Sequence, residues 1–284
     1  MIAMRLIVTL FLLCVITEAY SQKEGITYKI VHFTNKKYKV PDGGHLQGIQ
    51  AYNIQGKEHL ILTGSSNSFS YYITTEPDSS LELVKIFDAP YRHAGGCQIA
   101  DGKLFVGVED NIEKDKSKVV MIDLATKKIE PIIERSGTFK RSTAGAVAAA
   151  KFDGHMVVAV ADWDSRNIDL YQSSEHGFDS VGTYRMPDSL NHSYQNINLL
   201  RAGEVLGLFG FYRTGNKNKV DVFEIENSHL NYLGSNEYKA PKSYSFRYGA
   251  GMIAFDVKDV RIYVCQRKIK KRNSVFLIPR LIPA

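Results

Sequence analysis

The feature that most constrains this chain is a degenerate internal repeat with a period of about fifty residues. Five segments align on a small or turn-forming residue beside an apolar run, with successive spacings of 48, 49, 51 and 55 residues. The aligned positions are Gly48, Gly96, Gly145, Asn196 and Gly251. A period of this length indicates one supersecondary unit that is repeated in space and shares its core with its neighbours.

Each unit has the pattern of short β-strands. The apolar runs span four to seven residues, are rich in Val, Ile, Tyr and Phe, and are separated by Gly, Asn and Asp. Asp101-Gly102 and Asp153-Gly154 predict hairpin turns between first and second strands. The run 144–150 is rich in Ala, yet its register predicts an innermost strand. The predicted third strands are Tyr71–Thr74, Val119–Leu124, Asn167–Gln172, Val220–Ile225 and Val275–Ile278, and the predicted fourth strands are Leu81–Phe87, Lys128–Ile133, Ser180–Arg185 and Leu230–Leu233.

Four-stranded units repeated at this period predict a β-propeller. The fifth unit ends after its third strand, while Ile26–Phe33 alternates like a strand but belongs to no unit. We expect this N-terminal strand to close the last blade. The prediction is an all-β fold, a single five-bladed β-propeller of four-stranded blades. The alternatives are a β-sandwich and an irregular β-solenoid.

On this blade pattern, the chain resembles secreted five-bladed β-propeller proteins over roughly residues 26–280. That superfamily includes glycan-processing enzymes, nucleotide hydrolases and lectins. The resemblance therefore implies a fold, and the function has to be argued from the site.

Residues 1–21 predict a secretory signal peptide. Arg5 supplies a positive charge, and Leu6–Ile16 is an apolar run of 11 residues, which is short for a bilayer span. Ala19 and Ser21 are small residues at the positions that precede cleavage before Gln22. We expect residues 22–284 to form the propeller domain of a protein that is secreted, extracellular or periplasmic, with no transmembrane anchor.

Composition narrows the class of protein further. An apolar fraction of 44% excludes disorder of the whole chain, and three cysteines exclude a disulfide scaffold. Cys97 and Cys265 fall in strands of different units, so we expect two buried thiols. A net charge of +6 is modest, and no stripe of basic and aromatic residues is present. We therefore expect no nucleic-acid partner, and no motif indicates a cofactor.

In a propeller, the loops that lead into first strands and the loops between second and third strands gather on one face. Polar residues recur there at nearly equivalent positions, and Trp163 lies in the same set of loops. Three arginines and three histidines around one axis would form an anion-binding funnel, while the indole could stack on a sugar. The alternative is that these residues cap strands and tie blades together. The predicted ligand-binding residues are His45, Arg92, His93, Arg141, His192, Arg247, Tyr248 and Trp163.

The loops between second and third strands are acidic in units two and three and basic in units four and five. A pair of carboxyl groups could act in glycoside hydrolysis, with a histidine as general acid or base. The candidates are Glu109, Asp110, Asp162, Asp164 and His93. Three of the histidines could bind zinc only if they met across the axis, so we expect no metal. The run Lys268, Lys270, Lys271 and Arg272 is either a solvated hairpin tip or a contact for an acidic partner.

Three functions remain open from the sequence. The first is a secreted propeller that binds an anionic small molecule or a glycan at one central site. The second is a hydrolase or lyase that acts on a glycan or a phosphoester. The third is an extracellular protein-interaction scaffold. Because the units differ in their loops, one asymmetric site is favoured over five equivalent sites.

Overall fold

A computed structural model describes residues 29–34, 41–54, 56–75, 82–226, 229–256, 259–269 and 272–278. Every regular element in these ranges is a β-strand. None of the described residues belongs to a helix long and apolar enough to cross a membrane. The predicted signal peptide lies outside the described residues. The strands are β1 (Lys29–Thr34), β2 (His45–Ile54), β3 (Lys57–Ser65), β4 (Phe69–Thr75), β5 (Glu82–Asp88), β6 (His93–Ala100), β7 (Lys103–Glu109), β8 (Lys116–Asp123), β9 (Ile129–Ser136), β10 (Ala146–Phe152), β11 (His155–Ala161), β12 (Asn167–Ser174), β13 (Gly177–Arg185), β14 (Asn196–Ala202), β15 (Val205–Thr214), β16 (Lys217–Glu226), β17 (His229–Tyr238), β18 (Ala250–Asp256), β19 (Asp259–Cys265) and β20 (Arg272–Ile278).

The strands pair as antiparallel meanders in chain order. Two sheets have the orders β2-β3-β4-β5 and β14-β15-β16-β17. A larger sheet joins the meanders β6–β9 and β10–β13 through one parallel pairing, between Gly96 and Ala146. The remaining sheet has the order β1-β20-β19-β18, in which β1 pairs antiparallel with β20. The N-terminal strand that the sequence predicted therefore pairs with the last described strand.

The first strands of the meanders converge on a common axis. β2 contacts β6, β6 contacts β10, β10 contacts β14, β14 contacts β18, and β18 contacts β2, so the cycle closes. The Ala-rich run lies in β10, where Ala146, Ala148 and Ala149 are fully buried. Small side chains allow the backbones to approach closely at this axis. The prediction of an innermost strand for this run is confirmed.

The apolar core lies between successive sheets. Along β11, Val158 and Val160 pack with β7 and β8, whereas Ala159 and Ala161 pack with β14 and β15. Successive side chains of a strand point to opposite faces, so one strand serves two core layers. Each sheet therefore depends on both of its neighbours for burial of its apolar faces.

Two of the repeat positions must be glycine because backbone packs against them. A Cβ atom at Gly251 would lie 2.0 Å from the carbonyl oxygen of Ile49, and one at Gly96 would lie 2.6 Å from that of Gln195. No side chain fits at these distances. At these two positions, the repeat therefore marks a close approach between the backbones of different units.

Amide side chains bridge the first strands at the axis. The Gln98 side chain accepts hydrogen bonds from the backbone N–H groups of Ala149 and Leu199, and it donates one to the carbonyl of Leu199. The Asn198 side chain accepts from the backbone N–H of Met252. Apart from the Gly96–Ala146 pairing of β6 with β10, the described first strands form no ladder with one another, so their buried backbone groups need such partners.

The predicted hairpin turns and thiols are confirmed. Asp101 and Asp153 have φ values of 49° and 47°, and each is followed by a glycine with positive φ, as a tight turn of this hand requires. Cys97 and Cys265 are unpaired and buried, and burial raises the pKa of each thiol to about 12.

Candidate functional site

A cavity of about 570 Å³ opens on the face where the first strands begin and the second strands end. This is the face on which the sequence predicted a site. Seven of the predicted residues line it: His45, Glu109, His93, Trp163, His192, Arg247 and Tyr248. The lining is completed by Gln47, Asn111, Gly145, Ser193, Tyr194, Gln195, Arg213 and Arg267.

His93 and Glu109 form the first pair of functional groups. They lie opposite each other on β6 and β7, because the ladder pairs the first residue of β6 with the last of β7. His93 Nδ1 is 3.1 Å from Glu109 Oε1. The backbone N–H of Ala144 donates to Glu109 Oε2, and the residue is fully buried. The carboxylate therefore lies behind the imidazole at ion-pair distance, with no hydrogen bond between Nδ1 and Oε1. Gln47 Nε2 lies 3.1 Å from the other ring nitrogen.

His192 and Asp221 form the second pair. His192 Nε2 is 2.5 Å from Asp221 Oδ2, and the same oxygen accepts a hydrogen bond of 2.7 Å from the Tyr194 hydroxyl. The imidazole also stacks on Tyr212, with ring centroids 3.7 Å apart and planes 6° apart. Asp221 is fully buried in β16 and lies outside the cavity lining. The ring orientation of His192 is thus fixed by a carboxylate and an aromatic face.

Arginines supply the positive side of the cavity. Arg213 lies near the end of β15, Arg247 in the loop before β18, and Arg267 just after β19. The guanidinium of Arg267 lies 4.9 Å from the ring centroid of Tyr248. Guanidinium groups bind carboxylate or phosphate through paired hydrogen bonds, so this side suits an anion.

His45 and Trp163 occupy the remaining wall. Burial lowers the pKa of His45, with smaller contributions from the nearby His93 and Arg267, against the raising effect of the Gly43 carbonyl. Trp163 lies beside His93, with ring centroids 6.2 Å apart, and Lys114 Nζ sits 4.2 Å from the indole centroid. The indole is partly exposed and gives the cavity an aromatic surface.

Two of the predicted cations, Arg92 and Arg141, lie outside the cavity lining. Arg141 binds both carboxylate oxygens of Asp169 and does not line the cavity. Arg92 donates to the carbonyl of Asn67 and to Asn111 Oδ1, and it is absent from the lining as well. For these two residues the strand-capping alternative describes the structure better.

The predicted group of carboxylates is also reduced. Asp110 accepts hydrogen bonds from the backbone N–H groups of its own loop, at residues 112 and 113. Asp162 accepts from the backbone N–H of Arg166 and from the amide of Asn167. Asp164 pairs with Lys140. These three carboxylates shape loops, and among the described residues only Glu109 brings a carboxylate to the cavity lining.

The three cavity histidines do not form a metal site. Within the described ranges, no cluster of three or more His, Cys, Asp or Glu residues has an arrangement that could hold a metal ion. In the predicted acidic-partner run, Lys268 is exposed, Lys270 and Lys271 lie outside the described residues, and the backbone of Arg272 begins β20. An acidic partner at this run stays a prediction.

Comparisons with protein-family models and with curated proteins give no match. Comparison with solved structures finds GH43 glycoside hydrolases. A GH43 β-xylosidase/α-arabinofuranosidase from a compost microbial metagenome, in complex with xylotriose, is 12% identical with a TM-score of 0.51, over 87% of this chain and 94% of that one. A GH43_1 enzyme from Xanthomonas citri complexed with xylotriose is 10% identical with a TM-score of 0.53, over 83% and 87%. A GH43 β-1,3-galactosidase with galactodeoxynojirimycin is 8% identical with a TM-score of 0.53, over 85% and 90%.

These likenesses define the class of fold. The chain is an all-β protein with a β-propeller fold of the kind found in those glycoside hydrolases. At identities of 8% to 12%, the shared fold does not carry the activity across. The function has to be argued from the cavity itself.

Proposed function

We propose that this protein is a secreted five-bladed β-propeller that acts on an anionic glycan in its central cavity. The blade count is supported by the four-stranded meanders, which follow the repeat one for one, and by the closed cycle of first strands. Export is supported by the pattern of residues 1–21. Sequencing the N-terminus of the exported chain tests this part, since a start at Gln22 is expected.

One observation carries the functional proposal. A single cavity presents two histidines, His93 and His192, each with a buried carboxylate at ion-pair distance behind it, together with arginines on one side. A ligand-binding site needs no oriented imidazole. An imidazole fixed by a carboxylate is the usual arrangement for moving a proton during a reaction.

The charge and shape of the cavity support an anionic sugar. Three arginines against one carboxylate in the lining favour a negatively charged group on the ligand. Trp163 offers a face for the apolar side of a sugar ring. Three of the similar structures were solved with xylotriose or galactodeoxynojirimycin, so the same fold accommodates sugars and sugar analogues in those proteins.

A paired set of oligosaccharides tests this function. We expect uronate-containing oligosaccharides to raise the melting temperature and to be degraded, whereas neutral xylo-oligosaccharides of equal length have a smaller effect. A ligand at a hundred times its dissociation constant stabilises the folded state by about 2.7 kcal/mol. Binding should weaken as salt concentration rises.

Matched variants locate the effect. Arg213→Ala combined with Arg247→Ala should remove the preference for acidic sugars. Arg185→Ala is the control, because Arg185 is exposed and lies on the outer strand β13. Stabilisation without any degradation would leave a binding protein. The proposal fails altogether if the wild type binds acidic and neutral sugars equally well and the double variant does the same.

A further inference from the structure

The groups that a ligand meets first in the cavity are imidazoles rather than carboxylates. His192 is bound to Asp221 through Nε2, which leaves Nδ1 for a ligand. His93 faces Glu109 through Nδ1. The Glu109 side chain is 1% exposed and that of Asp221 is fully buried. Both carboxylates therefore act through the histidines in front of them.

This arrangement does not match glycoside hydrolysis by two carboxyl groups. In that reaction, one carboxyl group protonates the leaving oxygen and a second attacks the sugar or activates water, at separations of roughly 5–10 Å. Among the described residues, the cavity lining offers one carboxylate, Glu109. Its oxygens already face the backbone N–H of Ala144 and the ring of His93.

The same arrangement meets the needs of a different bond cleavage. A uronate carries a carboxylate next to a C–H bond. When cations neutralise that carboxylate, the adjacent proton becomes easier to remove, because negative charge spreads onto the carboxylate oxygens. A base then takes the proton, and the bond from the next carbon to the glycosidic oxygen breaks.

We propose that the cavity cleaves uronate-containing glycans by β-elimination, which rests on the proposed action on anionic glycans. Arginines bind the uronate carboxylate, and His192 Nδ1 takes the proton from C5. The electron pair of that C–H bond forms the C4–C5 double bond, and the pair of the C4–O4 bond leaves with the oxygen. His93, positively charged in the substrate complex, gives that oxygen a proton from Nε2 and becomes neutral, after the oxygen has displaced the Gln47 amide nitrogen, which lies 3.1 Å from Nε2 in the structure. Water is not consumed, and no oxidant or metal is required.

The positions of the groups fit these roles. His192 lies just before β14, and Arg213 lies in β15 of the same sheet. Arg247 and Arg267 lie in loops of the next sheet, before β18 and after β19. The site for the uronate carboxylate is therefore on the His192 side. His93 lies on the other side of the cavity, next to Trp163. His192, the base, is then next to C5 of the uronate. His93, the proton donor, lies towards the leaving sugar.

Isotope labelling distinguishes elimination from hydrolysis. The full-length exported protein is incubated with oligomers of galacturonate, alginate and hyaluronan in water enriched in ¹⁸O. Elimination gives products whose masses sum to that of the substrate, with ultraviolet absorbance from the new double bond and no ¹⁸O. Hydrolysis gives saturated products that carry ¹⁸O, which would overturn the elimination but leave the proposed function standing. Binding without cleavage also overturns it, and no binding of any oligomer overturns both proposals.

Variants assign the proton transfers. His192→Gln should lower kcat by 10²-fold or more, within the range usual for loss of a general base. Substrate deuterated at C5 should react more slowly with the wild type. His155→Gln is the control, because this exposed histidine lies at the β10–β11 turn, at the other end of the strands. Asp221→Asn tests positioning: the pH profile of kcat should move, with a smaller change in KM. An unchanged profile would show that Asp221 serves the fold alone.

Discussion

Asp169 and Asp221 occupy corresponding positions in successive sheets but have different partners. Asp169 lies opposite Val160 in the β11–β12 ladder, and Asp221 lies opposite Gly210 in the β15–β16 ladder. The loop before the first strand supplies a partner in both cases. For Asp169 that partner is Arg141, and for Asp221 it is His192.

The difference separates a structural ion pair from a reactive pair. Arg141 and Arg135 are permanently charged and bind Asp169 away from the cavity. Burial alone would raise the pKa of Asp169, but hydrogen bonds from Arg141 and Thr183 and the charge of Arg135 lower it overall. His192 carries an imidazole instead of a permanently charged guanidinium, and it lines the cavity. The two pairs thus differ in one residue type in the loop before the first strand. Arginine there gives an ion pair that connects strands, and histidine gives a pair that can transfer a proton.

Removing each carboxylate should give opposite results. Asp169→Asn leaves the Arg135 guanidinium, 8% exposed, without its ionic partner, so we expect unfolding free energy to fall by about 3–5 kcal/mol. Asp221→Asn should cost less stability, since histidine can remain neutral, but it should reduce activity strongly. Urea unfolding and turnover, measured on both variants, check the contrast. Equal losses of stability would remove the distinction between the two pairs.

Exchanging the cations tests the comparison directly. His192→Arg places a permanent positive charge beside Asp221 and removes the imidazole that takes the proton in the proposed reaction. We expect folding to be retained and kcat to fall by about 10²-fold or more, because no base remains at this position. Acidic oligosaccharides should still bind, which calorimetry would measure. Retained turnover would show that His192 takes no part in the reaction.

Acid should weaken the contribution of the Asp169 pair to stability. Since the pKa of Asp169 is lowered in the folded state, its stabilising effect is fully present above the unfolded value of about 3.9 and is lost as pH falls through the folded value. The stability difference between wild type and Asp169→Asn should therefore shrink below about pH 4. Thermal unfolding from pH 3 to pH 7 measures it. A difference that stays constant over this range would contradict the lowered pKa.

Removing the hydroxyl groups that donate hydrogen bonds to the two carboxylates should have the smallest effects. Tyr194→Phe removes a buried hydrogen bond to Asp221, and we expect a loss of about 2 kcal/mol. Thr183→Val removes a hydrogen bond from the exposed Thr183 to Asp169, and we expect the unfolding free energy to fall by about 1 kcal/mol or less. Only the first variant should change turnover. Chemical unfolding and kinetics on the pair decide whether the two sites differ in this way.

The sequence predicted features that depend on local pattern. The period of the repeat, the two Asp-Gly turns and the N-terminal strand all follow from strand length and turn chemistry. The placement of Arg92 and Arg141 could not be predicted, because register along a loop does not say which side of the loop a long side chain takes. Asp221 was missed because it sits inside an apolar strand, 220–225. Its alignment with Asp169 was the available signal, since a carboxylate at that position needs a partner.

The axial amides were missed for a related reason. Gln50, Gln98 and Asn198 each lie two residues after the aligned small residue of their unit. A polar residue that recurs within buried strands signals backbone groups in need of partners. Their partners come from other units, so the contacts emerge only once the strands meet at the axis.

The pairing of β1 with β20 links the two ends of the described chain. Synthesis delivers β1 well before β20, so the sheet that contains both strands cannot be completed until β20 has been made. A chain that ends before β20 would lack that strand and would also leave β1 unpaired. The neighbouring layers of the apolar core would then be exposed to solvent. The β1–β20 pairing therefore distinguishes chains that contain β20 from chains that lack it, and proteases that cut exposed strands would remove the latter.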